Sequence, residues 1–198
     1  MMKIKRIAMQ LCLSSAVIVA MPSAFAVGSA QSNVQHYIVK NLNIGDLPVK
    51  TIVPITAKTA EQAITQAQVI ASTPNADVAE FRIDLLEFSV DTKKVIALGQ
   101  QLNQILKDKP LIATIRTHNE GGKMTVSDQN YEKIYREYLK KPFMQLLDIE
   151  MFRDAGSVAK LTKLAHEKNV LVIMSNHDFA KTPEQQEIEN RLLKQDQM

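Results

Sequence analysis

The sequence predicts an α/β protein built around a parallel β-sheet. Short apolar runs alternate along the chain with segments whose apolar residues recur at helical spacing, which is typical of strand–helix–strand units with right-handed crossovers. The run Leu171–His177 begins apolar, as in a strand buried on both faces, and ends in polar residues. A strand of this kind delivers side chains to a site in parallel α/β proteins. The sheet is either open and doubly wound or part of a (β/α)8 barrel.

The first 26 residues have the pattern of a secretory signal peptide and are excluded from the fold. A basic start precedes the uncharged apolar run 7–21, and Ala24 and Ala26 form a small-residue cleavage pattern. The alternative is a membrane anchor, but a spanning helix needs roughly 20 apolar residues. We therefore expect residues 1–26 to be removed, residues 27–36 to be a polar lead-in, and the protein to be periplasmic or secreted.

Composition excludes several classes of function for the mature chain. Cleavage after Ala26 leaves 198 − 26 = 172 residues and removes three of the 24 basic residues, so 21 basic residues balance 21 acidic ones. No basic excess is left to indicate nucleic-acid binding. The one cysteine, Cys12, leaves with the signal, which excludes a disulfide, a thiolate nucleophile and a zinc–thiolate site. A chain of this size predicts one domain.

The elements follow in a regular order. Tyr37–Ile44 predicts a short strand or hairpin, with Gly45-Asp46 as its turn. Five apolar runs predict strands: Lys50–Thr56, Val78–Asp84, Leu111–Arg116, Leu146–Glu150 and Leu171–His177. Four segments between them predict helices: Thr59–Ala71, Asp91–Lys107 with Asp91 as N-cap, Ser127–Leu139 and Asp154–Lys168. A last helix starts with Thr182 as its cap and Pro183 in the first position.

Charged side chains recur on one face of three predicted strands. They take alternate positions, and the positions between them are apolar: Glu80, Arg82 and Asp84, then Thr114 and Arg116, then Asp148 and Glu150. Several charges on one buried face are costly unless they pair or bind a charged ligand. A solvated edge face or a structural ion-pair network is the alternative, but three strands in phase favour a site.

The end of the fifth strand brings a histidine to this face. Arg116 and Glu120 share the loop after the third strand, where Gly121-Gly122 allows a tight turn, and His177 arrives at the same end of the sheet. A histidine with a carboxylate partner suits general acid–base chemistry near neutral pH. The remaining histidines are interpreted as solvated: His36, His118 and His166.

Common cofactor sites have little support in the sequence. Residues 56–59, after the first strand, contain no glycine-rich phosphate loop, which argues against a dinucleotide or Walker-type site. A metal site is an alternative for one set of residues, although no H-x-x-x-H or comparable spacing supports it: His177, Glu120, Asp148 and Glu150.

Four motifs, in this order and spacing, resemble type I 3-dehydroquinate dehydratases: Glu80-Phe-Arg-x-Asp84, Arg116-x-x-x-Glu-Gly-Gly122, Asp148-x-Glu150 and Ser175-Asn-His-Asp-Phe179. The segment Lys40–Gly45 resembles that family too, and the similarity runs from about Tyr37 to the C-terminus. The resemblance implies a (β/α)8 barrel of the class I aldolase kind, of which residues 37–198 hold about the first five β/α units after a short β-hairpin.

The resemblance also implies an activity: dehydration of 3-dehydroquinate to 3-dehydroshikimate through a lysine Schiff base, with no metal or organic cofactor. By this resemblance His177 transfers protons, and Glu120 orients and tunes it. Glu80 and Arg82 would bind substrate hydroxyls, and Arg116 nearby polar groups. No nucleic acid or membrane partner is implied for the mature chain, and a homodimer is compatible with the resemblance.

The sequence departs from the family in one respect. The family's Schiff-base lysine lies on the sixth strand, beyond Met198, and neither Lys181 nor Lys194 matches its motif. Pro54 also stands where some members have a serine, which leaves a contact from the first strand open. We therefore expect a truncated copy or incomplete gene model of an enzyme, inactive alone. The alternative is a non-catalytic remnant that binds a polyhydroxy carboxylate or a partner chain. Export favours quinate or shikimate breakdown over aromatic biosynthesis.

Overall fold

The computed structural model describes residues 36–198. The predicted signal peptide and all but the last residue of the predicted lead-in lie outside the described residues. Within the described part, no helix has both the length and the apolar character needed to cross a membrane. The strands are β1 Tyr37–Val39, β2 Leu42–Ile44, β3 Ile52–Ile55, β4 Val78–Arg82, β5 Leu111–Thr114, β6 Leu146–Glu150 and β7 Leu171–Ser175. The helices are α1 Ala60–Ser72, α2 Thr92–Leu106, α3 Asp128–Lys140, α4 Ala155–Glu167 and α5 Gln185–Asp196.

The main sheet is parallel and keeps the order of the sequence, β3-β4-β5-β6-β7. A doubly wound sheet reverses its strand order at a switch point, where the chain changes faces. No reversal occurs here, and α1 to α4 all pack on one face of the sheet, where they form the larger apolar core. The α/β prediction is confirmed, and the arrangement is that of a partial (β/α) barrel.

The opposite face of the sheet corresponds to a barrel interior and is divided into two levels. Val78, Ile112 and Leu146 form an apolar layer near the start of the strands, and Val39 of the β1–β2 hairpin closes this layer from below. The charged side chains lie nearer the C-terminal ends. Register aligns Arg82 with Thr114, Thr114 with Asp148, and Glu150 with Ser175. The apolar base thus supports a polar upper level.

The predicted helices α1 to α4 agree with the structure to within one residue at each end. Polar side chains cap them as local sequence suggests. Asp91 accepts the N–H of Lys94 at 3.1 Å, which confirms it as an N-cap, and Asp154 accepts the N–H of Ser157 at 2.8 Å.

Three predictions of local structure are wrong. The hairpin turns at Lys40 and Asn41 rather than at Gly45-Asp46. Helix α5 begins at Gln185 with Glu184 as its N-cap residue, because the preceding loop is held by the Asp178 carboxylate, so Thr182 and Pro183 precede the helix. The fifth predicted strand is partly exposed along its length, since β7 has a neighbour on one side only in the described sheet.

Candidate active site

Arg116 is the centre of the polar upper level. It lies just after β5, is 6% exposed, and binds three carboxylates through its guanidinium nitrogens. The distances are 2.9 Å to Asp148 Oδ1, 3.3 Å to Glu150 Oε1 and 3.4 Å to Glu120 Oε2. Burial acts to lower the pKa of Arg116, but Asp148, Glu150 and Glu120 outweigh it and raise that pKa. The cation is therefore fixed in its charged form.

One arginine cannot neutralise three carboxylates, and neighbouring hydroxyl and amide groups donate further hydrogen bonds to them. Thr117 donates to Glu150 through its backbone N–H at 2.8 Å and its hydroxyl at 2.7 Å. Ser175 donates to Asp148 Oδ1 at 2.8 Å and accepts from Arg116 Nη1 at 2.9 Å. Burial nevertheless raises the pKa of Asp148, although Arg116 opposes the rise. The network thus includes one carboxylate, that of Asp148, whose ionisation is opposed by burial.

His177 and Glu120 form the predicted histidine–carboxylate pair. His177 Nδ1 lies 2.9 Å from Glu120 Oε2. The glutamate side chain is 10% exposed, whereas the histidine side chain is 39% exposed. Burial raises the pKa of Glu120, and the hydrogen bond with His177 acts against that rise. A carboxylate on Nδ1 favours the tautomer protonated there, so that Nε2 carries the lone pair of a general base.

The glycines after Glu120 are required by close contacts. Gly121 has φ +83°, a left-handed conformation that L side chains rarely adopt, and the Phe179 ring lies against its Cα. A Cβ on Gly122 would overlap the carbonyl of Arg116. The Phe179 ring also stacks parallel to His177, with 6.2 Å between ring centroids. The two loops that carry the histidine and its partner therefore pack directly on each other.

Arg82 is fixed by Asp84, a residue for which the sequence indicated no separate role. The carboxylate of Asp84 binds Arg82 Nε at 2.9 Å and Nη2 at 3.0 Å, and its side chain is fully buried. The same carboxylate accepts the backbone N–H of Arg116 at 3.3 Å and of Lys123 at 3.1 Å. It therefore ties the end of β4 to the loop that carries Glu120. The only local indication of this role was that Asp84 follows Arg82 by two residues and so shares its face of the predicted strand.

Glu80 lies one level below Arg82 on the same face and is half-buried. Its charge contributes to raising the pKa of Arg82, after the hydrogen bond to Asp84, and to raising the pKa of Asp148. The structure thus brings all five predicted site residues to one face: Glu80, Arg82, Arg116, Glu120 and His177.

The structure also bears on the three histidines predicted to be solvated and on the alternative metal site. His36, His118 and His166 are exposed, as predicted. Within residues 36–198, no three His, Cys, Asp or Glu side chains are grouped to hold a metal ion. The acids proposed for a metal site instead surround the guanidinium of Arg116.

Fold and site together define a class: a (β/α)-barrel protein whose strand ends carry a histidine–carboxylate pair beside buried arginines. The chain belongs to the type I 3-dehydroquinase family, whose profile matches residues 51–198. It is 80% identical over 162 residues to the catabolic 3-dehydroquinate dehydratase of Acinetobacter baylyi, covering 82% of this chain and 60% of that protein.

Solved structures agree with this assignment. The 3-dehydroquinate dehydratase of Enterococcus faecalis matches with a TM-score of 0.76 at 41% identity, covering 79% of this chain and 65% of that one. The type I enzyme of Clostridium difficile, solved with covalently modified comenic acid, matches with a TM-score of 0.79 at 33% identity, covering 82% and 64%. The chain spans about 60% of the length of the curated relatives that it matches.

Stability should depend on pH through Glu120. Its pKa is raised above the ordinary 4.5, so above that pH the folded chain holds a proton that the unfolded chain has released. Its contribution to the free energy of unfolding should therefore fall as the pH rises from about 4.5 through the raised pKa. Urea unfolding between pH 4 and pH 7 measures this slope, and Glu120→Gln should remove the contribution.

Glu132 supplies a control of opposite sign. Its hydrogen bonds to Arg136 and Ser157 lower its pKa, so Glu132→Gln should remove a contribution that favours folding as the pH rises. Identical slopes for the parent and Glu120→Gln would contradict the first expectation.

Proposed function

We propose that this chain is the acid–base and substrate-binding part of a type I 3-dehydroquinate dehydratase, which converts 3-dehydroquinate to 3-dehydroshikimate and water. The observation that carries the proposal is the 2.9 Å pair of His177 and Glu120, on a face that also holds Arg82 and Arg116. The named relatives support the same reaction.

His177 is proposed to move both protons of the reaction. Its Nε2 removes a proton from the substrate carbon and later returns it to the leaving hydroxyl, which departs as water. Glu120, at Nδ1, stabilises the imidazolium formed between the two steps. The electron pair left on carbon needs an acceptor, which in this family is a lysine imine. Because a side chain supplies it, the proposed reaction uses no metal or organic cofactor.

The other site residues are proposed to bind the polyhydroxylated substrate. Arg82 and Glu80 are half-buried and stand beside the polar level, which suits hydrogen bonds with substrate hydroxyls. Arg116 already binds three carboxylates, so its proposed contribution is the positive charge and the polar contacts that it provides next to His177.

Ligand titration tests the substrate assignment in the chain itself. Addition of 3-dehydroquinate to the full chain should produce saturable NMR shift changes at Arg82, Glu120 and His177. Arg82→Ala should weaken binding by about tenfold or more, the effect of losing a charge-assisted hydrogen bond. The exposed Arg136→Ala variant should bind like the parent. Absence of saturable shifts, or equal affinities for both variants, would refute the assignment.

A non-catalytic remnant is the second candidate, since the chain spans 60% of the length of the Acinetobacter baylyi relative. Such a protein would bind a polyhydroxy carboxylate or a partner chain. This second candidate predicts the same saturable binding in the ligand titration, but no turnover after the rest of the barrel is supplied.

Export and a catabolic role complete the proposal. The apolar run 7–21 and the Ala24/Ala26 pattern support a periplasmic or secreted protein, and the name of the Acinetobacter baylyi relative supports quinate or shikimate breakdown. Fractionation should recover a chain that begins at Val27. Recovery of intact Met1 from the cytoplasm would contradict export.

A homodimer is also proposed, to be checked by light scattering.

A further inference from the structure

Two tyrosines on α3 reach through the helix side of the sheet to the ends of β5 and β6. The hydroxyl of Tyr135 accepts the backbone N–H of Ile115 at 2.8 Å and donates to the backbone carbonyl of Asp148 at 2.8 Å. The hydroxyl of Tyr131, one helical turn earlier, accepts the N–H of Glu150 at 3.2 Å. Each hydroxyl therefore binds the backbone of a residue in, or adjacent to, the arginine-centred network.

The Tyr135 hydroxyl stands at the point where direct pairing of the two strands stops. The last paired residues of β5 and β6 are Thr114 and Asp148. Beyond them, the hydroxyl lies between the Ile115 N–H and the Asp148 carbonyl and satisfies both groups. Tyr135 is fully buried, and burial raises its pKa well above the ordinary value, so the hydroxyl stays protonated and can donate.

We propose that Tyr135 is a positioning residue, which sets the separation of β5 and β6 where Arg116 meets Asp148. Ile115 directly precedes Arg116 in the chain. Asp148 takes part on both faces of the sheet, because its carbonyl binds Tyr135 and its carboxylate binds Arg116 at 2.9 Å. The tyrosine hydroxyl thus acts on the polar site through the backbone, from the opposite face of the sheet.

Removal of this hydroxyl leaves a buried N–H and a buried carbonyl without their partner. Such groups destabilise the folded chain if they stay unpaired. They are satisfied again only if the strands close on each other or if water enters, and either change displaces Arg116 relative to Asp148. The consequence for catalysis rests on the proposed function, whereas the geometric consequence does not.

Tyr135→Phe tests the inference, with Tyr138→Phe as a matched control. Tyr138 lies on the same helix, 5.9 Å from the Tyr135 ring, and its buried hydroxyl has no hydrogen-bond partner within the described residues. Carbon-13 NMR titration of the full chain measures the carboxyl pKa values of Asp148 and Glu120. Arg116 lowers both pKa values, so its displacement should raise them, by about 0.5 unit or more.

Tyr138→Phe should leave both carboxyl titrations unchanged. A folded Tyr135→Phe variant with the titrations of the parent would overturn the proposal. If Tyr135→Phe does not fold, Tyr131→Phe replaces it, because its loss frees the Glu150 N–H and displaces Glu150. The charge of Glu150 raises the pKa of Glu120, so the pKa of Glu120 should then fall. An unchanged Glu120 pKa in that variant is equally contradictory. Failure of 3-dehydroquinate to bind would refute the proposed function but would not alter these titrations.

Discussion

The 198-residue chain alone is expected to dehydrate 3-dehydroquinate at a negligible rate. Its His177–Glu120 pair supplies acid–base help, which contributes about 10²–10⁴-fold, whereas enzymes accelerate reactions by about 10⁶-fold or more. Within residues 36–198, four carboxylates of the polar face pair with Arg82, Arg116 or His177 and none of them with a lysine: Asp84, Glu120, Asp148 and Glu150. A chain that forms no imine offers no acceptor for the electron pair left by proton removal.

Borohydride reduction in the presence of substrate, followed by mass spectrometry, checks this expectation. No lysine of the chain should acquire a covalent adduct. An adduct on Lys181, Lys194 or another lysine, accompanied by turnover, would show that this chain forms the imine by itself.

Arg116→Ala should cause the largest loss of stability of any single substitution in the site. It removes the cation that three buried or nearly buried carboxylates share, those of Asp148, Glu150 and Glu120. Loss of one partner from a buried ion pair costs about 3–5 kcal/mol, because the remaining charge has no counterion. Urea unfolding at neutral pH should therefore show a large fall in the midpoint.

Arg136→Ala is the control for that measurement. Arg136 pairs with Glu132 at 2.7 Å, but 45% of its side chain is exposed, and exposed pairs contribute about 0–1 kcal/mol. If Arg116→Ala lost no more stability than Arg136→Ala, the three buried carboxylates would not need Arg116 as their counterion.

Regular periodicity explains why much of the fold was predictable. Strands and helices α1 to α4 alternate, and each carries its apolar residues at its own spacing. Three predicted strands ran two residues too far at their C-terminal ends, because the polar residues there, such as Arg116 and His177, lie on loops that leave the sheet. These polar residues continue the alternation with apolar residues beyond the last residue paired with a neighbouring strand. The sequence pattern alone therefore cannot locate the C-terminal end of a strand.

The hairpin shows where local signals fail. Gly45 is the expected turn residue, yet the chain turns at Lys40, which itself has φ +52°. Its ammonium binds Asn103 Oδ1 at 2.9 Å and the carbonyls of Lys107 at 2.7 Å and Lys109 at 2.9 Å. These partners are more than 60 residues away in sequence, so no local rule could identify them.

The sequence predicted that the candidate residues lie on one face of the sheet, but it did not predict how they are connected. Alternating charges placed Glu80, Arg82 and Arg116 on one face, and the strand end supplied His177. The positions of Asp84 and Tyr135 depend on backbone groups 32 and 20 residues away, which become visible only in the folded chain.

Completion of the barrel tests whether the polar face of this chain serves 3-dehydroquinate dehydration. The apolar base of the interior face borders a groove of about 420 Å³, and β3 and β7 each have an unpaired edge in the described sheet. The full chain is mixed with a polypeptide that carries strands six to eight of the Acinetobacter baylyi relative, and conversion of 3-dehydroquinate is followed. We expect turnover, a borohydride adduct on a lysine of the added polypeptide, and a fall of about 10²–10⁴-fold with His177→Asn in this chain. A stable complex without turnover, or turnover indifferent to His177→Asn, would contradict the assignment of this site to 3-dehydroquinate dehydration.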